Sequence, residues 1–335
     1  MTTQTSDSTT TAPSALRRIF SGSVGRNLGL VVGLAAIVVV GIVTAPNTFA
    51  DINNVFTILR QASIIGVISI GMTFVILSGG IDLSVGAVLA LASVAATIAA
   101  VQDIVVQSHW IVMVVVALAT GLAAGMISGV VVAYGRVAAF IATLAMMVGG
   151  RGLAEILADN RTLVISSSEF KRAMNVDLLG IDILIWIFAI VAAAGWFILN
   201  RTTFGRRTVA IGGNPEASRL SGIKVKRHTM WLYALSGLCA GIAAVMMLGR
   251  TTAGTSTHGQ LYELDAIAAV VVGGTLLAGG RGTITGTVFG VLIFATLRNV
   301  FVQNNLSSAV QAVAMGIIIV VAVLLQQRFA SKPGR

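Results

Sequence analysis

Residues 71–91 read GMTFVILSGGIDLSVGAVLAL. The stretch is almost wholly apolar, yet it holds two adjacent glycines, Gly79 and Gly80, and one carboxylate, Asp82. It lies within an apolar run from about residue 62 to residue 101. As one helix that run would be about 60 Å long, roughly twice the hydrocarbon thickness of a bilayer. It must break, and Gly79-Gly80 is where the backbone turns most easily. The chain therefore crosses a membrane, turns and recrosses. Asp82 then falls at the inner end of the following span. There its carboxylate, with Ser84 in the first turn, caps backbone N–H groups and meets the positive end of the helix dipole. The other reading of Gly79, Gly80, Asp82 and Ser84 is an inner gate.

Composition extends this to the whole chain. Of 335 residues 56% are hydrophobic and 10% charged, against about a quarter charged in soluble domains. The net charge of +10 does not indicate nucleic acid, because the basic residues are sparse and segregated. A single cysteine, Cys239, permits no internal disulfide. The three histidines lack metal-ligand spacing, so no metal site is expected.

Residues 1–26 are Ser/Thr-rich and read as a disordered cytoplasmic tail. The first apolar run has no A-x-A-like cleavage site after it and is expected to be a retained span. Apolar runs fall at 28–45, 55–78, 83–101, 110–133, 137–157, 183–199, 230–249, 264–279, 284–303 and 308–326. The expectation is an all-α, polytopic membrane bundle of about ten spans over residues 27–328, ending in a short basic tail, 329–335. Ten spans put both termini on one side. With the termini inside, 15 of the 22 Lys and Arg residues lie inside, and nine of the 12 acids lie outside. The positive-inside rule selects that orientation, with cytoplasmic N- and C-termini. Two soluble segments result, one outside at 158–182 and one inside at 200–229. Neither is large enough to be an enzyme domain.

Within the inner segment, GGNPEASRLSG (212–222) has the grammar of a short capped helix. Asn214 is the N-cap and Pro215 takes the first helical position. Glu216 favours the positive end of the dipole, and Gly222 accepts the left-handed C-terminal position. So short a helix is not stable alone, so either its own bundle or a partner must hold it. Glu216, Ala217 and Ser218, with Gly222 six residues after the glutamate, resemble the EAA…G motif of bacterial ABC importer permeases, with Ser218 where the motif has Ala. GMTFVILSGGIDLSVGAVLAL, VAIGGNPEASRLSGIKV and AIAAVVVGGTLLAGGRGTITGTVFG look like the ribose-type sugar permeases of that class, in the expected order across residues 50–326.

The resemblance implies that Gly213, Asn214, Pro215, Glu216, Ala217, Ser218 and Gly222 form a coupling helix seated on a separate cytosolic ATPase. It also implies an extracytoplasmic sugar-binding protein, a second permease copy or a related permease, and a bacterial inner-membrane location. ATP and Mg would belong to the ATPase, with no cofactor on this chain. The sequence holds no G-x-x-x-x-G-K-[ST] phosphate loop.

Polar groups within spans mark candidate functional positions. Arg151 and Glu155 share a helix face and are expected to pair. With Asn299 and Gln311 they either serve structure or line an outward vestibule that hydrogen-bonds sugar hydroxyls. Arg60 and Arg298 lie shallower and either snorkel or contact the docked binding protein. Gly121, Gly125 and Gly129, and likewise Gly286 and Gly290, have helix-packing spacing. LSGGIDLSVGAV and LAGGRGTITGTV align at an offset of 200 residues and suggest an internal repeat. The competing function is an ion-coupled secondary transporter, which needs a midplane carboxylate or histidine. None is read at that depth. A membrane enzyme is the third class, and no nucleophile or metal cluster supports it.

Overall fold

The computed structural model describes residues 23–330, so the expected tails, 1–26 and 329–335, fall largely outside the described residues. Helix α1 (Ser23–Thr44) is followed by a single turn, α2 (Pro46–Phe49), and by α3 (Ile52–Leu77). Asp51 caps α3 by accepting from Asn53 N–H. Next come α4 (Val85–Ala95) and α5 (Ala99–Gln107), bent 54° from each other, then α6 (Ile111–Ala133) and α7 (Ala139–Ala158). The loop after α7 carries β1 (Leu163–Val164), α8 (Ser168–Ala173), β2 (Asp177–Leu178) and β3 (Ile181–Asp182). Helices α9 (Ile183–Arg201), α10 (Thr203–Gly213), α11 (Pro215–Leu220) and α12 (Val225–Thr251) follow. After β4 (Ala253–Gly254) the chain ends with α13 (Tyr262–Val272), α14 (Ile284–Gln303) and α15 (Ser308–Ala330). The only strands among the described residues form two short antiparallel pairs, β1 with β4 and β2 with β3.

The architecture is an all-α membrane bundle. Among the described residues six helices are long and apolar enough to cross a bilayer, the bent α4–α5 pair counts as a seventh if taken as one span, and α1 and α15 hold shorter apolar stretches, Leu28–Thr44 and Ser308–Ile318. The expected ten full spans are corrected at two places. The run at 83–101 is broken after Ala95. The run at 264–279 is helical only as far as Val272, the end of the 11-residue α13, which is about 16 Å long, or half the hydrocarbon thickness. From 273 to 283 the chain is non-helical. Such backbone is tolerated at membrane depth only where protein satisfies it. Here Gly280 N–H donates to Leu77 O at 2.9 Å, Leu276 N–H to Arg281 O at 2.9 Å and Thr275 N–H to Val270 O at 3.2 Å.

Helix α12 is the axis of the core, buried along most of its length. It packs backbone to backbone on α6 at the glycines the sequence singles out. A Cβ at Gly121 would come within 2.8 Å of Gly241 Cα, one at Gly125 within 2.9 Å of Gly237 Cα, and one at Gly129 within 2.9 Å of Met230 Cα. Helix α3 runs beside α12, and α14 beside α3. Thr73 and Thr287 share a buried hydrogen bond of 2.7 Å between these two helices. At the opposite end from α10, Asn54 and Asn299 exchange amide hydrogen bonds of 3.1 and 2.8 Å, and Gln303 adds a third at 3.0 Å. Helices α7 and α9 are mostly exposed and form the flanks.

Candidate functional site

Helix α11 forms as its sequence prescribes. Asn214 Oδ1 accepts from Ala217 N–H at 2.9 Å, and Pro215 fills the first position. Gly222 has φ +83°, and Ile223 N–H closes the end on Ser218 O at 3.1 Å. Glu216 and Arg219 form a two-point ion pair, 2.6 and 3.1 Å. The guanidinium holds the Glu216 carboxyl below the usual carboxylate range. Ser218 is buried towards the bundle, whereas Leu220 is 75% exposed. The helix thus presents a charged pair and one apolar side chain to the outside.

The end of the bundle that carries α11 also holds a glycine junction. Gly79 and Gly279 take φ of +85° and +86° where their segments turn. A Cβ at Gly279 would come within 2.8 Å of Gly79 N. Gly212, the penultimate residue of α10, sits on both. A Cβ there would overlap the Leu77 carbonyl oxygen and come within 2.5 Å of Gly280 N. The two motifs aligned at an offset of 200 residues therefore meet at one point, and α10 is seated on it. In each motif the glycines follow one helix and a side-chain oxygen opens the next. Asp82 Oδ1 accepts from Ser84 N–H at 3.0 Å, and Thr283 Oγ1 accepts from Gly286 N–H at 3.0 Å.

Asp82 is not at the inner surface. It is buried, and its other oxygen accepts from Ser236 Oγ at 2.8 Å. Ser236 lies 11 residues into α12, about 17 Å along a helix of about 40 Å. Segment 78–84 rises into the bundle before α4 starts, so Asp82 braces α4 against α12 instead of capping a surface hairpin. Ser84 is the N-cap residue of α4, but its hydroxyl donates to Asp82 at 2.6 Å instead of capping the helix. Tyr233, one turn before Ser236, buries its hydroxyl against Gly80 without a hydrogen-bond partner. Glu263 is also buried, against Gly86 at the start of α4. The expectation of no carboxylate at mid-depth is therefore overturned. The loop between α12 and α13 dips into the bundle, a fold-back that hydropathy does not reveal.

The expected vestibule residues divide. Arg151 does not pair with Glu155. Its guanidinium donates to the backbone oxygens of Ser256 and His258, pinning the dipping loop to α7. Glu155 is exposed, on the outward face of α7. Asn299 is tied up in the amide knot with Asn54. Gln311 does line a cavity of about 250 Å³, with Gln61, Arg250, Tyr262, Asp265 and Arg298. In its wall Arg298 grips Asp265 in a two-oxygen contact, 3.0 and 3.1 Å. Arg60 is bound to Asp182 at 2.6 Å, the residue that caps α9. Neither arginine is a bare cation. Among the described residues no group of three or more His, Cys, Asp or Glu side chains converges.

The sequence of this bundle matches a known family. The family model described as "Branched-chain amino acid transport system / permease component" matches residues 54–323. The chain belongs to this permease family. A ribose import permease protein of Haemophilus influenzae is 42% identical over 304 residues, covering 89% of this chain and 93% of the relative. That of Bacillus subtilis is 41% identical over 315 residues, 93% and 96% of the two chains. An L-arabinose transport system permease protein of Escherichia coli is 36% identical over 322 residues, 94% of each. No solved structure matches the chain. The relatives are transport subunits, not enzymes, and this chain is a permease subunit of the ABC sugar-importer type. The family implies association with an ABC ATPase and a binding protein.

Proposed function

We propose that this permease conducts a pentose into the cytoplasm as a homodimer in the bacterial inner membrane, with both termini cytoplasmic. The relatives named for ribose, L-arabinose and xylose support the substrate class, since all three are pentoses. ATP and Mg are bound and turned over on a partner ATPase, which grips α11 through the Glu216–Arg219 pair and Leu220. The segment 213–222 moves with that ATPase. Gly212 transmits the movement, because α10 rests directly on Leu77, where the first broken segment, 78–84, departs, and on Gly279-Gly280 within the second, 273–283. Shifting that junction tips α4 and α13 and alternates access. The cavity beside α13 receives the sugar from the binding protein. Its amides, Tyr262 and arginines offer hydroxyl partners beside an apolar wall that includes Ile65, Val291 and Phe294. Arg60 and Arg298 lie on the side where the binding protein docks.

The seating of α10 on the glycine junction carries this reading. It is tested by reconstituting the permease with its ATPase and binding protein and following labelled ribose uptake together with ATP hydrolysis. Glu216→Ala should leave insertion intact and cut sugar moved per ATP several-fold. Unchanged uptake with normal expression would refute the coupling role.

A further inference from the structure

A second cavity, of about 490 Å³, opens at the α11 end of the bundle, between α10 and the start of α12. Three basic residues line it: Arg207 on α10, Lys224 in the turn and Arg227 on α12. None of the three forms an ion pair among the described residues. The one acid of the 200–229 loop, Glu216, is already held by Arg219. Lys224 is the N-cap of α12 and supplies no side-chain cap, so the first-turn N–H groups add to the positive field. The remaining wall is mostly apolar, formed by Phe204, Ile223 and Trp231, with Gly222 and the His228 ring. Phe204 is fixed by contact with the His228 ring, 4.4 Å between centroids, and His228 is fixed by a 2.9 Å bond to Thr208.

The cavity also lies at a marked depth. At the same end of the bundle Lys226 stands over Tyr134 and Arg201 over Trp196, with cation-to-ring distances of 6.0 and 5.7 Å. With the 41% exposed Trp231 these residues form the aromatic and basic girdle that marks the headgroup level of a bilayer. A cavity with a cationic mouth, an apolar wall and this depth fits an amphiphile bearing a phosphodiester.

We propose that it binds the headgroup of an anionic phospholipid from the cytoplasmic leaflet and so ties the root of the coupling loop to the membrane. The assignment of leaflet rests on the orientation proposed above, whereas the binding itself is read in detergent without transport.

The full-length permease would be titrated with phosphatidylglycerol and, separately, phosphatidylcholine, and retained lipid read by native mass spectrometry. Each basic residue near an anionic surface contributes about a factor of five. Phosphatidylglycerol should therefore be favoured, and R207Q/K224Q/R227Q should weaken its retention by on the order of a hundredfold. The charge-matched R161Q/K171Q/R172Q, altered at the opposite end, should retain it normally. Equal retention of the two lipids by the unaltered protein would overturn the proposal. So would unchanged retention in R207Q/K224Q/R227Q, or displacement of the lipid by millimolar inorganic phosphate, which would make this a free-anion site. Loss of ATPase association with lipid retention intact would assign the cluster to acidic groups of the ATPase instead.

Discussion

Replacing Gly212 by alanine tests the link between the coupling loop and the broken spans. The new methyl group would overlap the Leu77 carbonyl oxygen and approach Gly280 N to 2.5 Å. Van der Waals contact lies near 3.5 Å, so relieving the Gly280 N approach alone takes about 1 Å and the Leu77 oxygen overlap takes more; α10 must retreat that far or the Leu77–Gly280 contact must open. Overpacking of this kind costs about 1–3 kcal/mol. Loss of the 2.9 Å Gly280 N–H to Leu77 O bond adds about 1 kcal/mol. Against this, alanine is favoured over glycine in a helix by about 1 kcal/mol. The net, about 1–3 kcal/mol against the seated state, corresponds to roughly a 5- to 150-fold shift in its population. Gly152→Ala, inside α7, is the matched control. Its methyl meets nothing within 4 Å, so only the helix preference changes. In proteoliposomes with ATPase and binding protein, Gly212→Ala should lower sugar moved per ATP several-fold, and Gly152→Ala should match the unaltered protein. Equal uptake and equal thermal stability for the two variants would refute the seating of α10 as the transmitting contact.

Arg298→Ala strips the two-point partner from Asp265, a residue 14% exposed in its side chain. It should lower stability by about 1.5–3 kcal/mol, and adding Asp265→Asn should recover part of that loss in a thermal melt. Asp82→Asn keeps an acceptor for Ser84 N–H, and the Ser236 hydroxyl can rotate to accept from the new amide, so the melt should move little. Asp82→Ala leaves both serines unanswered and should cost about 1–3 kcal/mol. If Asp82→Asn melts normally but loses uptake, the residue gates as well as braces. The Glu216 carboxyl is lowered from its ordinary 4.5 by Arg219. The stability it contributes is present above that value and is lost only as pH falls through its lower folded value. Uptake should therefore show no dependence on this pair between about pH 6 and 8, and a mid-range inflection abolished by Glu216→Gln would contradict that.

Most of the bundle is legible in hydropathy, because a helix in lipid must be apolar along its length. The break at Gly79-Gly80 follows from length alone, and the α6 glycines from their spacing. The cap grammar of 214–222 gives α11 residue by residue. The failure at 264–279 has a physical cause. Protein-enclosed non-helical backbone carries the same apolar side chains as a buried helix, so composition does not separate them. The pairing errors have another cause. Arg151 and Glu155 satisfy the i,i+4 rule, but two backbone carbonyls of a loop about 105 residues away claim the guanidinium first. Asp265 for Arg298, Asp182 for Arg60 and Ser236 for Asp82 are likewise partners across the fold, with no trace in local sequence. Gly212 gives no sequence signal beyond being one more glycine, whereas the aligned pairs Gly79-Gly80 and Gly279-Gly280 did point to the place it touches.

The brace between Asp82 and Ser236 spans 154 residues of chain. A ribosome working at about 5–20 residues per second needs roughly 8–30 s to make that distance. For that interval the carboxylate has emerged while the helix that receives it does not yet exist. Residues 78–84 lack this partner until then, and the contact of α4 with α12 is completed only when α12 arrives. Assembly order is thus written into a single buried hydrogen bond, and a nascent chain truncated before Ser236 should leave Asp82 accessible to aqueous reagents.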